Sequence, residues 1–323
     1  MSDRWRLGVA GQKSACFDGG RSILSVKVRI GFGLGTRSLT NDDRFGPFVD
    51  DLERLGFDSL WLSERIGGES PDPVVGMAYA AGRTKRLKFG TSVMVLPGRN
   101  PVLVAKSMAS LDRMSGGRLL PAFGLGVADA HEQQAFGIER GARAAWFDEA
   151  LPLMRRLWTE DAVDHDGPLF HLEGIGVMPK PIQKPLDVWM GGIAPSELRR
   201  IGRLSDGWLP SFIIPGEAAA ARGVVEESAA KHERDIDPEH FGALIAYAVG
   251  EVPDTLLALL ARRRPDLDPS EIVPQGMAEL RDRINAFVDV GFSKFVVLPV
   301  GEPDDWTAHL EEIAAEILPL QTR

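Results

Sequence analysis

The residues Gly191-Gly192-Ile193-Ala194-Pro195-Ser196-Glu197 have the composition of an anion-binding turn. Gly191 and Gly192 close an apolar run, and Ser196 with Glu197 opens a helical pattern. Backbone N–H groups at a helix N-terminus, approached closely where glycine has no side chain, suit a phosphate. The same residues also read as a tight strand-to-helix turn with Pro195 or Ser196 as its start signal. Glu64-Arg65 is a second candidate, at the end of the run LGFDSLWLSER. Arg65 stays charged near neutral pH and cannot act as a general acid; it can hold a carboxylate, a phosphate or the negative charge of a reduced ring. As a solvated loop pair, these two residues would contribute little. Asp129 and His131, in GLGVADAHEQQ, are the third candidate, and of the six histidines only His131 falls on a loop at the same end as the others. His165, His171, His232, His240 and His309 read as surface or core groups. No HxH, HExxH or Cys/His spacing offers metal ligands, and no nucleophile motif is visible.

Turns so far apart in sequence meet only if the scaffold returns every strand to the same end. The sequence predicts such a scaffold. Val28 to Leu34, Phe57 to Leu62, Leu87 to Leu96 and Arg118 to Leu125 read as buried strands. Helical patterns separate them over about 42–55, 73–84 and 102–114, and Gly116-Gly117 stops the last. An amphipathic helix over 144–158, a hairpin over 162–172 and the proline-rich PKPIQKP follow. Alternation resumes with strands over 187–190, 207–211, 241–250 and 294–299, and with helices over 196–204, 217–234, 277–290 and 303–318. An insertion over 252–273 is helical in part. Eight strand–helix units predict a (β/α)8 barrel, in which residues at the carboxyl ends of strands carry the chemistry. An open doubly wound sheet is the runner-up, but GFGLG in the first strand is not followed by a helix start.

At 323 residues, 44% of them hydrophobic, the chain has core enough for one large α/β barrel or two ordinary domains. The net charge of −9 argues against a nucleic-acid or anionic-membrane surface, and no apolar run reaches membrane-span length. Trp61, Trp189 and Trp208 fall in strands and read as packing groups. The single cysteine, Cys16, excludes an internal disulfide or a thiolate cluster, and residues 1–25 have no continuous apolar stretch. Cytoplasmic residence is the expectation. Residues 1–25 form an extension of unassigned role, followed by a barrel domain over 26–323.

Four stretches carry a resemblance: GTSVMVLPGRNPVLVAKSMASLDRMSGGR, LGFDSLWLSER, FDEALPLMRRLWTEDAVDHDGPLFHLEG and KPIQKPLDVWMGGIAPSELRRIGRLSDGWLP. Together they resemble the luciferase-like flavin and deazaflavin oxidoreductases, over roughly Val28 to Ala315. The resemblance implies a barrel of the bacterial-luciferase type with insertions after strands four and seven. It implies that Gly191, Gly192, Ile193, Ala194 and Ser196 hold the cofactor phosphate. It implies a cis peptide at Ser92–Val93, backing one face of the ring together with Val95, as in the branch that uses the deazaflavin F420. Gly126, Val127 and Ala128 match positions where the family's backbone meets the cofactor, and Glu64 matches an acidic residue near the ring. By the same match Asp129 is a candidate acid or base, beside Glu64, Arg65 and His131 as catalytic candidates. The family often has a histidine where this chain has Arg65, so a histidine proton donor there is excluded.

GTSV favours F420 over FMN, and Arg99 or Lys106 is placed to meet an acidic cofactor tail. The expected activity is therefore an F420-dependent oxidoreductase passing hydride between the deazaflavin and a small organic substrate. An FMN monooxygenase using O2 and a non-catalytic flavin-binding homologue are the alternatives; a metal-dependent hydrolase lacks ligands. Family members commonly pair through helices beside strands two to four, which implies a homodimer.

Overall fold

The computed structural model describes residues 27–36, 39 and 43–322. The expected extension 1–25, with Cys16, lies outside the described residues. The first half runs β1 (Arg29–Gly33), α1 (Phe45–Leu55), β2 (Ser59–Leu62), α2 (Pro73–Arg83), β3 (Lys88–Thr91), β4 (Met94–Val95), α3 (Pro101–Ser115), β5 (Leu119–Leu120) and β6 (Ala122–Gly124). An excursion follows: α4 (Ala130–Phe136), α5 (Arg143–Thr159) and the hairpin β7 (Val163–Asp166) with β8 (His171–Ile175). The barrel resumes with β9 (Trp189–Met190), α6 (Pro195–Leu204), β10 (Gly207–Trp208), α7 (Pro215–Lys231) and β11 (Gly242–Tyr247). It ends with α8 (Asp254–Arg263), α9 (Pro269–Ile272), α10 (Gly276–Asp289), β12 (Lys294–Pro299) and α11 (Trp306–Glu316).

Parallel pairing runs β11-β12-β1-β2-β3-β5 and, in a second ladder, β10-β9-β6-β4. Parallel bridges Trp208–Phe241 and Ser211–Leu244 join β10 to β11, and the chain itself joins β3 to β4 and β5 to β6. The circuit therefore closes into the expected (β/α)8 barrel, not the doubly wound sheet. The third and fourth strands, expected as continuous runs, are each broken. Pro121 supplies no N–H between β5 and β6. Across the break the Thr91 hydroxyl donates to the Ala122 carbonyl at 2.5 Å and accepts the Ala122 N–H at 2.9 Å.

Helix starts follow their capping chemistry. Asp72 and Asn100 accept N–H groups in the first turns of α2 and α3, each ahead of a proline, and Gly116 in the left-handed region ends α3. Trp61, Ala122, Trp189, Leu209 and Val296 fill the barrel interior, while the larger apolar cluster lies between barrel and helices. The tryptophans are packing groups, as expected; Trp61 and Trp189 are at most 1% exposed.

The amino ends of the strands are locked by charge. The Asp58 carboxylate receives Lys294 at 2.7 Å and Lys88 at 2.9 Å, and the side chains of Asp58 and Lys294 are 7% and 8% exposed. Burial pushes the Asp58 carboxyl up, but the Lys294 and Lys88 ammonium groups outweigh it and hold the carboxyl well below the usual carboxylate range. A carboxylate depressed in the fold contributes stability above its unfolded pKa of about 3.9 and loses it as pH falls below that value. Asp58→Ala leaves Lys294 buried without its counter-charge. It is expected to lower the unfolding free energy by about 3–5 kcal/mol in urea titrations at neutral pH, with the gap to the native protein shrinking below about pH 4.

Candidate active site

The carboxyl ends of the strands surround an open cavity of about 950 Å3. Its floor is made by Val93, Leu209 and Leu244, which pack on the Trp61–Trp189 plug. Its walls come from the ends of β1, β2, β4, β6, β9, β10 and β12, and from both insertions: Glu132, Arg140, Arg143 and Ala144 on one side, Leu256, Leu259, Arg263 and Arg264 on the other.

Glu64 organises the strand-two side. Its carboxylate accepts the Val95 N–H at 2.7 Å and, through the other oxygen, pairs with Arg99. The end of β2 is thus tied to β4. Burial pushes the Glu64 carboxyl up; the Val95 N–H and Arg99 oppose this, and Asp72 and Glu132 add to it, leaving it above the usual glutamate range. Ser63 donates to the Ser92 carbonyl at 3.2 Å, holding the adjoining residue of the same wall. The Ser92–Val93 peptide is cis, the geometry the resemblance implies. Val93 lies against Gly124, where an added Cβ would come within 2.5 Å of its methyl group, so this approach requires glycine.

On the opposite wall Gly192 turns at φ +110°, a conformation that favours glycine, and the Trp208 indole donates to its carbonyl at 2.9 Å. The Ile193 and Ala194 N–H groups donate to the Glu197 carboxylate at 3.1 and 3.0 Å. The phosphate-type turn is therefore formed, and the chain's own anion occupies its donors.

Glu64, Arg65, Ser92, Val93, Val95, Gly126, Val127, Ala128, Gly191, Gly192 and Ile193 all line this cavity. Four candidates do not. Ala194 and Ser196 lie outside its lining, and both are exposed. Asp129 is the N-cap of α4, accepting the His131 and Glu132 N–H groups at 2.9 and 3.1 Å, and these bonds hold its carboxyl below the usual range. The His131 side chain is 95% exposed. Where the sequence suggested an active-site loop, Asp129 nucleates a helix that points His131 to solvent. Arg99 and Lys106 are not on the wall either: Arg99 is spent on Glu64, and Lys106 donates to the Met178 carbonyl.

Five charged cavity residues escaped the sequence reading, Glu132, Arg140, Arg143, Arg263 and Arg264, and Glu197 was read only as part of a helix start. Buried Glu132 accepts the Ile66 N–H at 3.0 Å and lies 3.5 Å from Arg65, fastening α4 to the loop after β2. Arg143 donates to the Leu125 and Val127 carbonyls. The pattern Asp129-x-x-Glu132 was a legible capping signal; Arg140, Arg143 and Arg263 gave none.

A family profile described as luciferase-like monooxygenase matches residues 29–317. An F420-dependent glucose-6-phosphate dehydrogenase of Intrasporangium calvum is 28% identical, over 86% of this chain and 96% of that protein. Among solved structures, an F420-dependent secondary alcohol dehydrogenase in complex with an F420–acetone adduct superposes with a TM-score of 0.76 at 20% identity, over 92% of this chain and all of the other. The oxygenating constituent of 3,6-diketocamphane monooxygenase of Pseudomonas putida, in complex with FMN, superposes with a TM-score of 0.72 at 17% identity, covering 92% and 99% of the two chains. At these identities the two superpositions speak for the fold.

Glu64→Ala should remove the tether between β2 and β4 and leave the Arg99 guanidinium and Val95 N–H without their partner. The expected loss is about 2–4 kcal/mol in urea unfolding, with faster hydrogen exchange at the Val95 amide. Unchanged Val95 protection would rule out the tether.

Proposed function

The chain belongs to the luciferase-like monooxygenase family, and from that premise we propose that it is an F420-dependent oxidoreductase acting on a small organic substrate. The observation that carries this reading is that Gly191, Gly192 and Ile193 of the turn share one cavity of about 950 Å3 with Ser92, Val93 and Val95. That volume is ample for a cofactor ring with substrate beside it. The F420-dependent relative that spans nearly its whole length supports the choice of cofactor. When bound, the deazaflavin supplies hydride transfer. The residues do the rest. The Ile193 and Ala194 N–H groups receive the phosphate once Glu197 yields them. Val93 and Val95 offer a rigid apolar wall to one ring face, and Glu64 keeps that wall in register through the Val95 N–H. Arg65 supplies positive charge, and Leu256 and Leu259 of α8 help exclude water.

Because both Glu64 oxygens are engaged, we assign Glu64 to positioning, with no proton to carry. Among the described residues no histidine lines the cavity, so a histidine proton donor has no part in this reading. Asp129 and His131 are likewise left out.

Anaerobic fluorescence titrations with F420 and FMN side by side test the cofactor. Saturable F420 binding, with FMN at least about tenfold weaker, is expected; tighter FMN binding, or binding of neither, would overturn the reading. Glu197→Ala frees the turn's N–H groups and should tighten F420 by a few-fold, about 1 kcal/mol.

We further propose that the protein is a homodimer. Val75 and Tyr79 of α2 and Leu103 and Met114 of α3 are 64, 48, 67 and 87% exposed, an apolar stripe on the two helices beside β2–β4. Light scattering should give twice the chain's mass, and Leu103→Glu combined with Met114→Glu should reduce it to one chain.

A further inference from the structure

The protein carries a net charge of −9, yet five arginines and three glutamates line its cavity. Three of the five have local duties. Arg143 is held by two backbone carbonyls, and buried Arg264 donates to the Phe212 carbonyl at 2.6 Å and to Glu217 and Asp266. Arg65 lies 3.5 Å from Glu132. Arg140 and Arg263 have no hydrogen-bond or ion-pair partner among the described residues.

Arg263 is the more informative of these two. It is the last residue of α8, and its neighbour Arg264 anchors that end of the insertion to the loop after β10. Its guanidinium lies 5.7 Å from the centre of the Phe212 ring, which itself lines the cavity. It lines the same cavity as Arg65 and stands within electrostatic reach of it, as well as of Arg262 and Glu197. Two like charges directed at one volume repel, and an anion between them reverses the sign of that interaction. In the reading proposed above the cofactor phosphate goes to the turn after β9, so this second cationic pair is surplus to it.

We propose that Arg65 and Arg263 clamp an anionic group, phosphate or carboxylate, on the substrate itself. The inference rests on the oxidoreductase reading for the word substrate, but the anion site is testable without turnover. Protein saturated with F420 is titrated calorimetrically with glycerol 3-phosphate and with glycerol. Saturable binding of the phosphate ester and none of glycerol is expected. Arg263→Met and Arg65→Met should each weaken glycerol 3-phosphate by about tenfold or more. F420 affinity should stay within about twofold of native in Arg263→Met. Arg263 is exposed and forms no hydrogen bond or ion pair among the described residues, so its thermal midpoint should be unchanged and serves as the folding control. Equal affinity for glycerol and its phosphate, or an unaltered constant in Arg263→Met, would overturn the clamp. A parallel loss of F420 affinity would also overturn it, assigning the arginines to the cofactor's acidic tail. Should F420 fail to bind the native protein, the same titration of ligand-free protein still reports on the clamp, and only the cofactor reading falls.

Discussion

The Glu64 carboxylate is the point on which the site's geometry depends. The third barrel strand must stop pairing with its neighbours in register and restart, because β4 joins a different ladder from β3. A break of this kind leaves backbone groups to be satisfied elsewhere. Thr91 serves the Ala122 side through its hydroxyl, and Glu64 serves the Val95 side. A buried carboxylate is costly to keep charged, and here two donors compensate it: a backbone N–H and the Arg99 guanidinium. The result is a wall whose residues 92–95 turn towards the cavity, with Gly124 leaving the space that Val93 takes.

Charge is distributed along the barrel axis in a way that separates stability from chemistry. At the amino end, Asp58 is held by two lysines and its stabilisation is internal to the fold. At the carboxyl end, arginines outnumber glutamates within one cavity, and some of that charge is left without a partner in the chain. An acidic protein with a cationic cavity favours anionic ligands by field as well as by contact. Glu197 tempers this. By occupying the donors of the turn after β9, it keeps the helix end satisfied and makes binding there an exchange of one anion for another.

The barrel was legible because its strands are short apolar runs punctuated by glycine and proline, and β12 falls on the expected residues. The turn at Gly191–Ala194 was legible for the same reason: local composition fixes a strand end and a helix start. Breaks in the third and fourth strands were not, since Thr91 and Glu64 satisfy the backbone from positions that pattern alone does not connect. Asp129 caps α4 outside the cavity lining, and in sequence a carboxylate at a strand end looks the same whether it faces a ligand or caps a helix. Arg263 was invisible for a different reason. It sits in a run of three arginines, and only the folded insertion separates Arg264, turned inward to Phe212 and Glu217, from Arg263 at the mouth.

That separation between adjacent residues bears on how such a barrel acquires a substrate. Phe212 stands at φ +58°, a conformation costing a bulky residue about 1–2 kcal/mol, and its carbonyl is what Arg264 grips. Phe212 lines the cavity, and its ring centre lies 5.7 Å from the Arg263 guanidinium. Two contacts through Arg264, to the Phe212 carbonyl and the Glu217 carboxylate, thus fix the insertion to the barrel beside Arg263 and the Phe212 ring. Glu64, Gly124 and Gly192, at the strand ends that would hold a cofactor, are positioned by the barrel. Changes in α8 can therefore alter what is admitted without disturbing the wall and turn on which cofactor binding rests, provided that the residue after the presenting one still reaches the Phe212 carbonyl.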